Sequence, residues 1–213
     1  MKKRFLLAAL LFSVILTAQT EKGTFAISGK TGLGFNSTTV KYENSGNTTD
    51  GPKTNSFNIS PSVSYFIIDN LSLGLDFNYK TVSTKQKILV LTPDGMNGMI
   101  IDEKNTNNTL SIIPTATYFF SKGKTRPYLN AGIGFGNTKQ ENNYSASSPE
   151  ISNFSTSNNG LVWGAGAGLA YFISKTISFD LGLDYSEFSF KENNVKTKSG
   201  AFGANIGISV FLK

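Results

Sequence analysis

The fold of this chain is decided by the stretch PSVSYF, residues 61–66. Close variants return as PTATYF at residues 114–119 and as AGAGLAYF, which ends at residue 172. The Tyr-Phe pair therefore recurs at 65/66, 118/119 and 171/172, at a spacing of 53 residues. The carboxyl terminus keeps the same register, with Val210-Phe211 in place of Tyr-Phe. A fixed period indicates a repeated structural unit.

Residues 1–18 have the layout of a secretory signal. Three basic residues precede an uncharged run from Phe5 to Ala18, which is shorter than the ~20 apolar residues that a membrane helix requires. We predict a signal peptide at 1–18 and a single domain at 19–213. Three of the 20 Lys and Arg lie in the signal, so 17 basic residues face 14 acidic ones in the rest of the chain. That balance does not indicate nucleic-acid binding.

Downstream of the signal, the sequence alternates between apolar-polar segments and polar tracts. Eight segments of roughly ten residues alternate with a period of two, which is typical of strands. The links at about 68–70, 121–126 and 174–176 are short, whereas those at about 37–55, 82–108, 137–159 and 191–199 are mostly long and polar. The pattern predicts an all-β protein: an eight-stranded antiparallel up-and-down barrel with short turns at one end and longer loops at the other.

The apolar face of these segments carries no charged residue, whereas Gly, Ser, Thr, Asn and Ala dominate the opposite face. A soluble eight-stranded barrel would have to hold the large apolar side chains in an interior too narrow for them. If they face lipid instead, the small polar residues line the lumen, and a lipid-facing Lys at mid-depth would cost about 2–4 kcal/mol. We therefore predict a transmembrane β-barrel with periplasmic turns and extracellular loops. Its periplasmic aromatic girdle would comprise Tyr65, Tyr118 and Tyr171.

Three stretches carry a family resemblance: YFIIDNLSLGLDFNY at 65–79, YFFSKGKTRPYLNAGIGFG at 118–136 and AYFISKTISFDLGLDYS at 170–186. They resemble the Tyr-Phe, short turn and Gly-rich ascending strand of small OmpA/OmpX-type outer-membrane β-barrel proteins. The resemblance implies a location in the cell outer membrane, contact with outer-membrane lipid, and the barrel-assembly machinery as a partner during insertion. Members commonly end on an aromatic residue that helps to recruit this machinery. Because this chain ends VFLK, the recognition residue is left open between Phe211 and Leu212.

No residue is predicted to be catalytic or to bind a cofactor or metal. Barrel enzymes of similar architecture rely on histidine, and this chain has neither histidine nor cysteine. The charges on the inward face are instead predicted to form a charge network in the lumen, because an unpaired charge in a narrow barrel is unfavourable. The members of this network are Lys30, Asp76, Lys80, Asp180 and Asp184.

Two further features of the strands carry expectations. Phe66, Phe119 and Phe172 point inward and are expected to fill the lumen near the periplasmic end. Pro61 and Pro114 each remove one backbone donor from a barrel strand, and we expect a local bulge at both positions.

The stretch KILVLTPDGMNGMIID, residues 87–102, departs from the polar character of the other links. Two β-prone runs flank a Pro-Asp-Gly turn signal, which predicts a hairpin that continues its two strands beyond the membrane. Such a hairpin either binds a partner by strand addition or folds over the barrel mouth as a cap. The candidate partner-binding residues are Ile88, Leu89, Val90, Leu91, Met99, Ile100 and Ile101.

These observations favour a non-enzymatic surface scaffold, of the adhesion or envelope-integrity type, whose loops contact an extracellular protein or surface ligand. The alternative is a narrow passive pore for small solutes or ions, for which eight strands leave little room.

Overall fold

A computed structural model of the protein describes residues 20–32, 36–44, 47–91, 98–145, 152–192 and 195–213. The predicted signal peptide therefore lies outside the described residues. Among the residues that are described, no helix is long and apolar enough to cross a bilayer. They form nine strands: β1 (Phe25–Gly32), β2 (Asn36–Asn44), β3 (Asn47–Ile68), β4 (Leu71–Leu91), β5 (Gly98–Phe119), β6 (Thr125–Tyr144), β7 (Phe154–Phe172), β8 (Ile177–Glu192) and β9 (Val195–Leu212).

The strands close into an eight-stranded antiparallel barrel, as predicted. β1 and β2 pair with successive parts of β3, residues 59–65 and 47–56, so they share one position in the barrel. Each later strand pairs with its neighbour in the sequence, and β1 also pairs with β9, from Phe25 opposite Leu212 to Gly32 opposite Asn205. That last pairing closes the barrel.

The two ends of the barrel differ. The residues between consecutive strands at one end are 69–70, 120–124 and 173–176, and we call this the turn end. Asn70 has a φ of 65°, a left-handed conformation that Asn adopts more readily than most residues. The opposite end, where β4 meets β5 and β6 meets β7, is called the hairpin end.

The alternation of side chains places the large apolar residues outside the barrel. Leu73, Ile133 and Leu181 are all exposed on the outer wall. The buried apolar cluster instead lies inside, and its members are Ala26, Phe66, Phe119, Tyr128, Ala170, Phe172 and Phe211. The interior therefore holds its aromatic cluster near the turn end, while small and polar side chains, together with Ile113, Val162 and Phe188, line the lumen above it.

The long polar links predicted at the hairpin end are largely strand. β4 continues to Leu91 and β5 starts at Gly98, so most of 82–108 is paired. The link at 137–159 is likewise occupied by the ends of β6 and β7. The predicted hairpin at 87–102 does continue β4 and β5, as the pair of Leu89 and Ile100 shows. The sequence pattern missed the stretches with polar side chains on both faces, because the prediction followed the apolar alternation.

The bulges expected at Pro61 and Pro114 are absent from the described strands. The register between β3 and β4 is the same on both sides of Pro61, and that between β5 and β6 is the same on both sides of Pro114. On one side of each proline, two successive residue pairs are missing from the ladder. On the other side the pairing continues, with Pro61 opposite Gly29 and Pro114 opposite Leu75. Because a proline lacks only one N–H, one ladder is interrupted without an inserted residue.

Candidate functional site in the lumen and at the barrel ends

Four phenylalanines form a plug across the lumen at the turn end. The ring centroids of Phe66 and Phe119 lie 5.9 Å apart, and Phe211 lies 6.1 Å from Phe66 and 4.9 Å from Phe172. Phe66 and Phe211 are almost completely buried. These distances suit aromatic pairs, which prefer tilted or edge contacts at 4.5–7 Å. The 53-residue period thus has a structural reason, since it places Phe66, Phe119 and Phe172 from every second strand at the same level, as expected. Phe211 on β9 joins them at the end of the chain, outside that spacing.

Arg126 lies beneath this plug and is 1% exposed. Its guanidinium carbon lies 4.5 Å from the ring centroid of Phe172, a distance typical of a cation–π contact. The guanidinium also donates to the carbonyl oxygens of Gly123 and Lys122, at 3.0 and 3.1 Å, and to Oγ1 of Thr20 at 2.5 Å. Arg126 therefore ties the turn between β5 and β6 to the start of the described chain.

Residues 20–24 run across the turn end and are held there by backbone hydrogen bonds. The N–H of Gly23 donates to the carbonyl of Phe66 at 2.9 Å, and the N–H of Phe66 donates to the carbonyl of Thr24 at 2.9 Å. The N–H of Asn70 donates to the carbonyl of Thr20 at 2.6 Å. The plug forms one layer across the turn end, and this segment together with Arg126 forms a second layer beneath it.

Two carboxylates fasten the same segment at the surface. The N–H of Lys22 donates to Asp69 at 3.0 Å, and this bond holds the pKa of the Asp69 carboxyl below its usual range. Glu21 forms an ion pair with Lys213 at 2.7 Å, which joins the two ends of the described chain.

A polar cavity of about 170 Å³ lies above the plug, near the middle of the lumen. Its lining includes Lys30, Asp76 and Asp184, three members of the predicted charge network. A second cavity of about 40 Å³ separates it from the plug and is lined by Lys30, Asp76, Asp180 and Tyr128, among others. The structure therefore brings four of the five predicted residues to adjoining spaces. Lys80 is half-buried and lines neither cavity.

The lumen carboxylates accept hydrogen bonds from neutral side chains. Asp76 accepts from Thr115 at 3.2 Å, and Asp184 accepts from the Asn205 amide. Asp180 accepts from Ser178 at 2.8 Å and from Ser209.

Lys30 is the ammonium nearest to these groups. Its Nζ lies 5.0 Å from the ring centroid of Tyr128, and among the described residues none of the ion pairs within 4 Å involves Lys30 or Lys80. Mutual stabilisation of the five charges stays a prediction.

Hydration of the cavity follows from its polar atoms. The side-chain oxygens of Asn130 and Asn205, which line the larger cavity, and the Tyr128 hydroxyl, beside the smaller one, are buried without a hydrogen-bond partner in the described part of the chain. Buried polar atoms of this kind usually bind water when the space is large enough, and 170 Å³ is enough for several molecules. No three His, Cys, Asp or Glu side chains of the described residues are grouped so as to hold a metal ion.

Glycines make room for these side chains. A Cβ on Gly168 would lie 2.5 Å from the Tyr128 hydroxyl, and one on Gly166 would collide with the Asp184 carboxylate. The inward glycines of β7 therefore relieve crowding in the lumen.

The predicted aromatic girdle lies on the outer wall at the turn end. Tyr65, Tyr118 and Tyr171 are all exposed. Tyr65 packs on Phe25 at 4.7 Å and Tyr118 on Phe120 at 5.1 Å between ring centroids. Their contact with lipid stays a prediction.

The two runs of the predicted hairpin pair with each other. Ile88 lies opposite Ile101, Leu89 opposite Ile100, and Val90 opposite Met99. Leu89 and Ile100 are 64% and 68% exposed, whereas Ile101 on the other face is buried. In the described chain, residues 86–91 form no ladder with β3 and residues 98–102 form none with β6. The ribbon thus extends past its neighbours, and residues 92–97 of its turn lie outside the described part.

A family model described as "Outer membrane protein beta-barrel domain" matches residues 5–208. The chain belongs to this family. No curated protein matches the sequence. Membership places the barrel in the outer membrane, with the turn end toward the periplasm and the hairpin end outside the cell.

Solved outer-membrane barrels are similar in fold at low identity. The amino-terminal barrel domain of Pseudomonas aeruginosa OprF is 16% identical, with a TM-score of 0.46, over 90% of this chain and 98% of that one. Neisserial surface protein A is 16% identical, with a TM-score of 0.48, over 89% and 99%. Yersinia pestis Ail is 17% identical, with a TM-score of 0.42, over 90% and 99%.

Arg126 and the segment at 20–24 were missed by sequence reasoning. The signal for Arg126 was its rarity, because it is the only arginine after residue 18. The segment at 20–24 gives no such signal, since much of its attachment to the barrel consists of backbone hydrogen bonds.

Proposed function

We propose that this member of the family is a non-enzymatic surface scaffold that presents extracellular hairpins and does not conduct solutes. The observation that carries the proposal is the plug of Phe66, Phe119, Phe172 and Phe211. The rings lie at centroid distances of 4.9–6.5 Å, within the range of direct aromatic contact, which supports a lumen closed at this level.

The closure at the turn end supports this reading further. Arg126 donates to Thr20, Lys122 and Gly123 and contacts a ring beneath the plug. Phe66 exchanges backbone bonds with Gly23 and Thr24. Opening a path would break these bonds and strip partners from a buried charge, which is unfavourable. Conduction requires a continuous water-filled path through the barrel, which such a closure would block.

The hairpin at 88–101 is the part of the scaffold that we propose binds an extracellular protein or surface ligand. Leu89 and Ile100 form an exposed apolar pair on its outer face, and its two edges are free of neighbouring strands in the described chain. Free strand edges accept an added strand, and an apolar pair beside them supplies side-chain contact. Burial of Ile101 on the inner face gives the ribbon a fixed base.

Two measurements test the proposal. The refolded barrel in a planar bilayer is expected to show no discrete conductance steps, and steps would contradict the scaffold. Replacement of residues 88–101 by Asn-Gly, a favoured two-residue hairpin turn between the paired Lys87 and Asp102, is expected to leave the heat-dependent gel shift unchanged and to abolish adhesion to cells or matrix.

The matched control for the hairpin is the point variant Leu89→Ser/Ile100→Ser, which keeps the strand pair and removes only the exposed apolar contact. It is expected to weaken adhesion without affecting folding. Full adhesion by the replacement variant, or failure of its barrel to fold, would show that the hairpin is not the binding element.

A further inference from the structure

Three lysines on neighbouring strands lie directly opposite one another at the hairpin end. Lys53 of β3 pairs with Lys85 of β4, and Lys85 pairs with Lys104 of β5. All three are exposed. We call Lys53, Lys85 and Lys104 the lysine row.

The row points outward from the barrel wall. Lys85 is an even number of residues from Leu73 and Leu75, which face outward on the same strand, and side chains alternate along a strand. Lys53 shares the outward face with Ile59 on β3, and Lys104 shares it with Leu110 on β5. The lysine row is therefore a feature of the outer wall and not of the lumen.

Three acidic residues lie near the row, and the side chains of two of them, Glu103 and Glu141, have partners of their own. Asp102 lies opposite Lys87, one step above the row, and Glu141 forms an ion pair with Lys139 at 2.5 Å. Glu103 accepts hydrogen bonds from Gln86 at 2.7 Å and Tyr144 at 3.3 Å. The row borders a surface groove of about 510 Å³ whose lining has four lysines, with Lys87 as the fourth, and two carboxylates, Asp102 and Glu103.

Like charges directly opposite on adjacent strands destabilise a sheet. Two such pairs in succession are therefore an arrangement that folding alone would disfavour. A bound anion removes the repulsion, and ammonium groups on strands ~4.8 Å apart are close enough to share one or two phosphate groups.

The height of the row narrows the choice of anion. Lys85 lies six residues beyond Tyr79, the last large outward side chain before a polar stretch. At ~3.3 Å per residue and a tilt of ~40°, this places it about 15 Å above the apolar band. The headgroup layer of a bilayer is only about 5–7 Å thick on each side, so the row lies above ordinary headgroups.

We propose that the lysine row binds the phosphorylated saccharide of glycolipids in the outer leaflet that surrounds the barrel. The saccharide is anionic, reaches this height, and stands against the outer wall at high local concentration. This site is separate from the apolar hairpin tip and does not depend on adhesion by it.

The test uses the whole refolded barrel and a soluble probe, the phosphorylated core oligosaccharide of lipopolysaccharide freed of its acyl chains. Binding is measured by calorimetry in low and high salt. The variant K53Q/K85Q/K104Q is expected to lose at least tenfold in affinity, and the wild-type affinity is expected to fall with salt. The control K22Q/K124Q/K175Q removes the same charge from exposed lysines near the turn end and is expected to stay within twofold of wild type.

Three results would overturn the proposal: equal loss in both variants, equal affinity for the enzymatically dephosphorylated oligosaccharide, or binding of heparin by the row without binding of the oligosaccharide. The variant K53R/K85R/K104R should retain affinity, since Arg also binds phosphate. If the triple Gln variant fails the gel-shift test of folding, K85Q alone replaces it, because Lys85 is shared by both pairs.

Discussion

The two ends of this barrel are held together by different kinds of side chain. At the turn end, buried aromatic rings, a buried arginine and backbone bonds to residues 20–24 fill the cross-section. At the hairpin end, hydroxyl and amide side chains pair across the strands, as in Thr54–Thr84 at 3.1 Å and Thr109–Thr138 at 3.1 Å. The aromatic packing holds its side chains in one arrangement. The polar pairs hold the strands together while their surfaces remain open to water.

The comparison indicates that the packing that stabilises the barrel and the side chains exposed for contact lie at different ends of the molecule. The plug can change little without loss of packing, because its rings touch one another on several sides. Exposed side chains of the extended strands can be substituted with little loss of stability, because backbone hydrogen bonds hold these strands together. Closure of the barrel and the proposed contact with partners therefore lie at different ends of the same strands.

The largest effect is expected from Phe66→Ala at the turn end. Removal of a buried Phe side chain costs about 3–5 kcal/mol, because it loses apolar contact and leaves a cavity. The free energy of unfolding is measured by denaturant titration in lipid vesicles, with fluorescence of Trp163, the single tryptophan, as the probe.

The matched control for Phe66→Ala is Phe154→Ala at the hairpin end, where the side chain is 47% exposed. We expect this change to cost less than about 1 kcal/mol, as is usual for surface positions. Equal losses at the two ends would show that the plug does not concentrate stability in the way that the comparison requires.

The second effect concerns one face of one strand. Leu73 and Lys85 both point outward on β4, the first within the apolar band and the second above it. We expect Leu73→Lys to cost about 2–4 kcal/mol because it places an ammonium at lipid depth. The gel-shift yield after insertion into vesicles gives the first measure, and the unfolding free energy gives the second.

The control for Leu73→Lys is Ser186→Lys, which points into the 170 Å³ cavity beside Asp184. Other inward serines are unsuitable, since Ser60 lies opposite Lys30 and Ser72 is buried. Similar insertion defects in both variants would mean that the two faces have been assigned wrongly.

Much of this architecture could be predicted because lipid imposes a simple rule on sequence. Within the apolar band, every second residue must be apolar, so strands, faces and closure can be read from Leu73 or Ile133 and their neighbours. Above the band the rule ends, and the polar stretches through which β4 and β6 continue carry no apolar signal. Only the apolar run at 88–91 marked the far end of β4, and there the hairpin was predicted. The lysine row was invisible for another reason: it depends on register between strands, which the sequence does not specify.

The third effect concerns charges in the two halves of the lumen. Lys30 lines both cavities with Asp76, whereas Lys80 lies outside them. In double-mutant cycles, we expect Lys30→Met and Asp76→Asn to be coupled by about 1 kcal/mol, and Lys80→Met and Asp76→Asn to be additive within about 0.5 kcal/mol. Strict additivity in both cycles would refute a charge network, and strong coupling to Lys80 would extend it to the hairpin end.

The smallest effect is expected from Lys85→Gln at the hairpin end. Lys85 is repelled by Lys53 on one side and Lys104 on the other, so its neutralisation should stabilise the barrel by a few tenths of a kcal/mol up to about 1 kcal/mol in low salt. The gain should vanish in high salt, because exposed charges are screened there. Lys175→Gln at the turn end, where no such row exists among the described residues, should give no gain. A stabilisation that persists in high salt would assign the effect to packing and would remove the electrostatic argument for an anion at this wall.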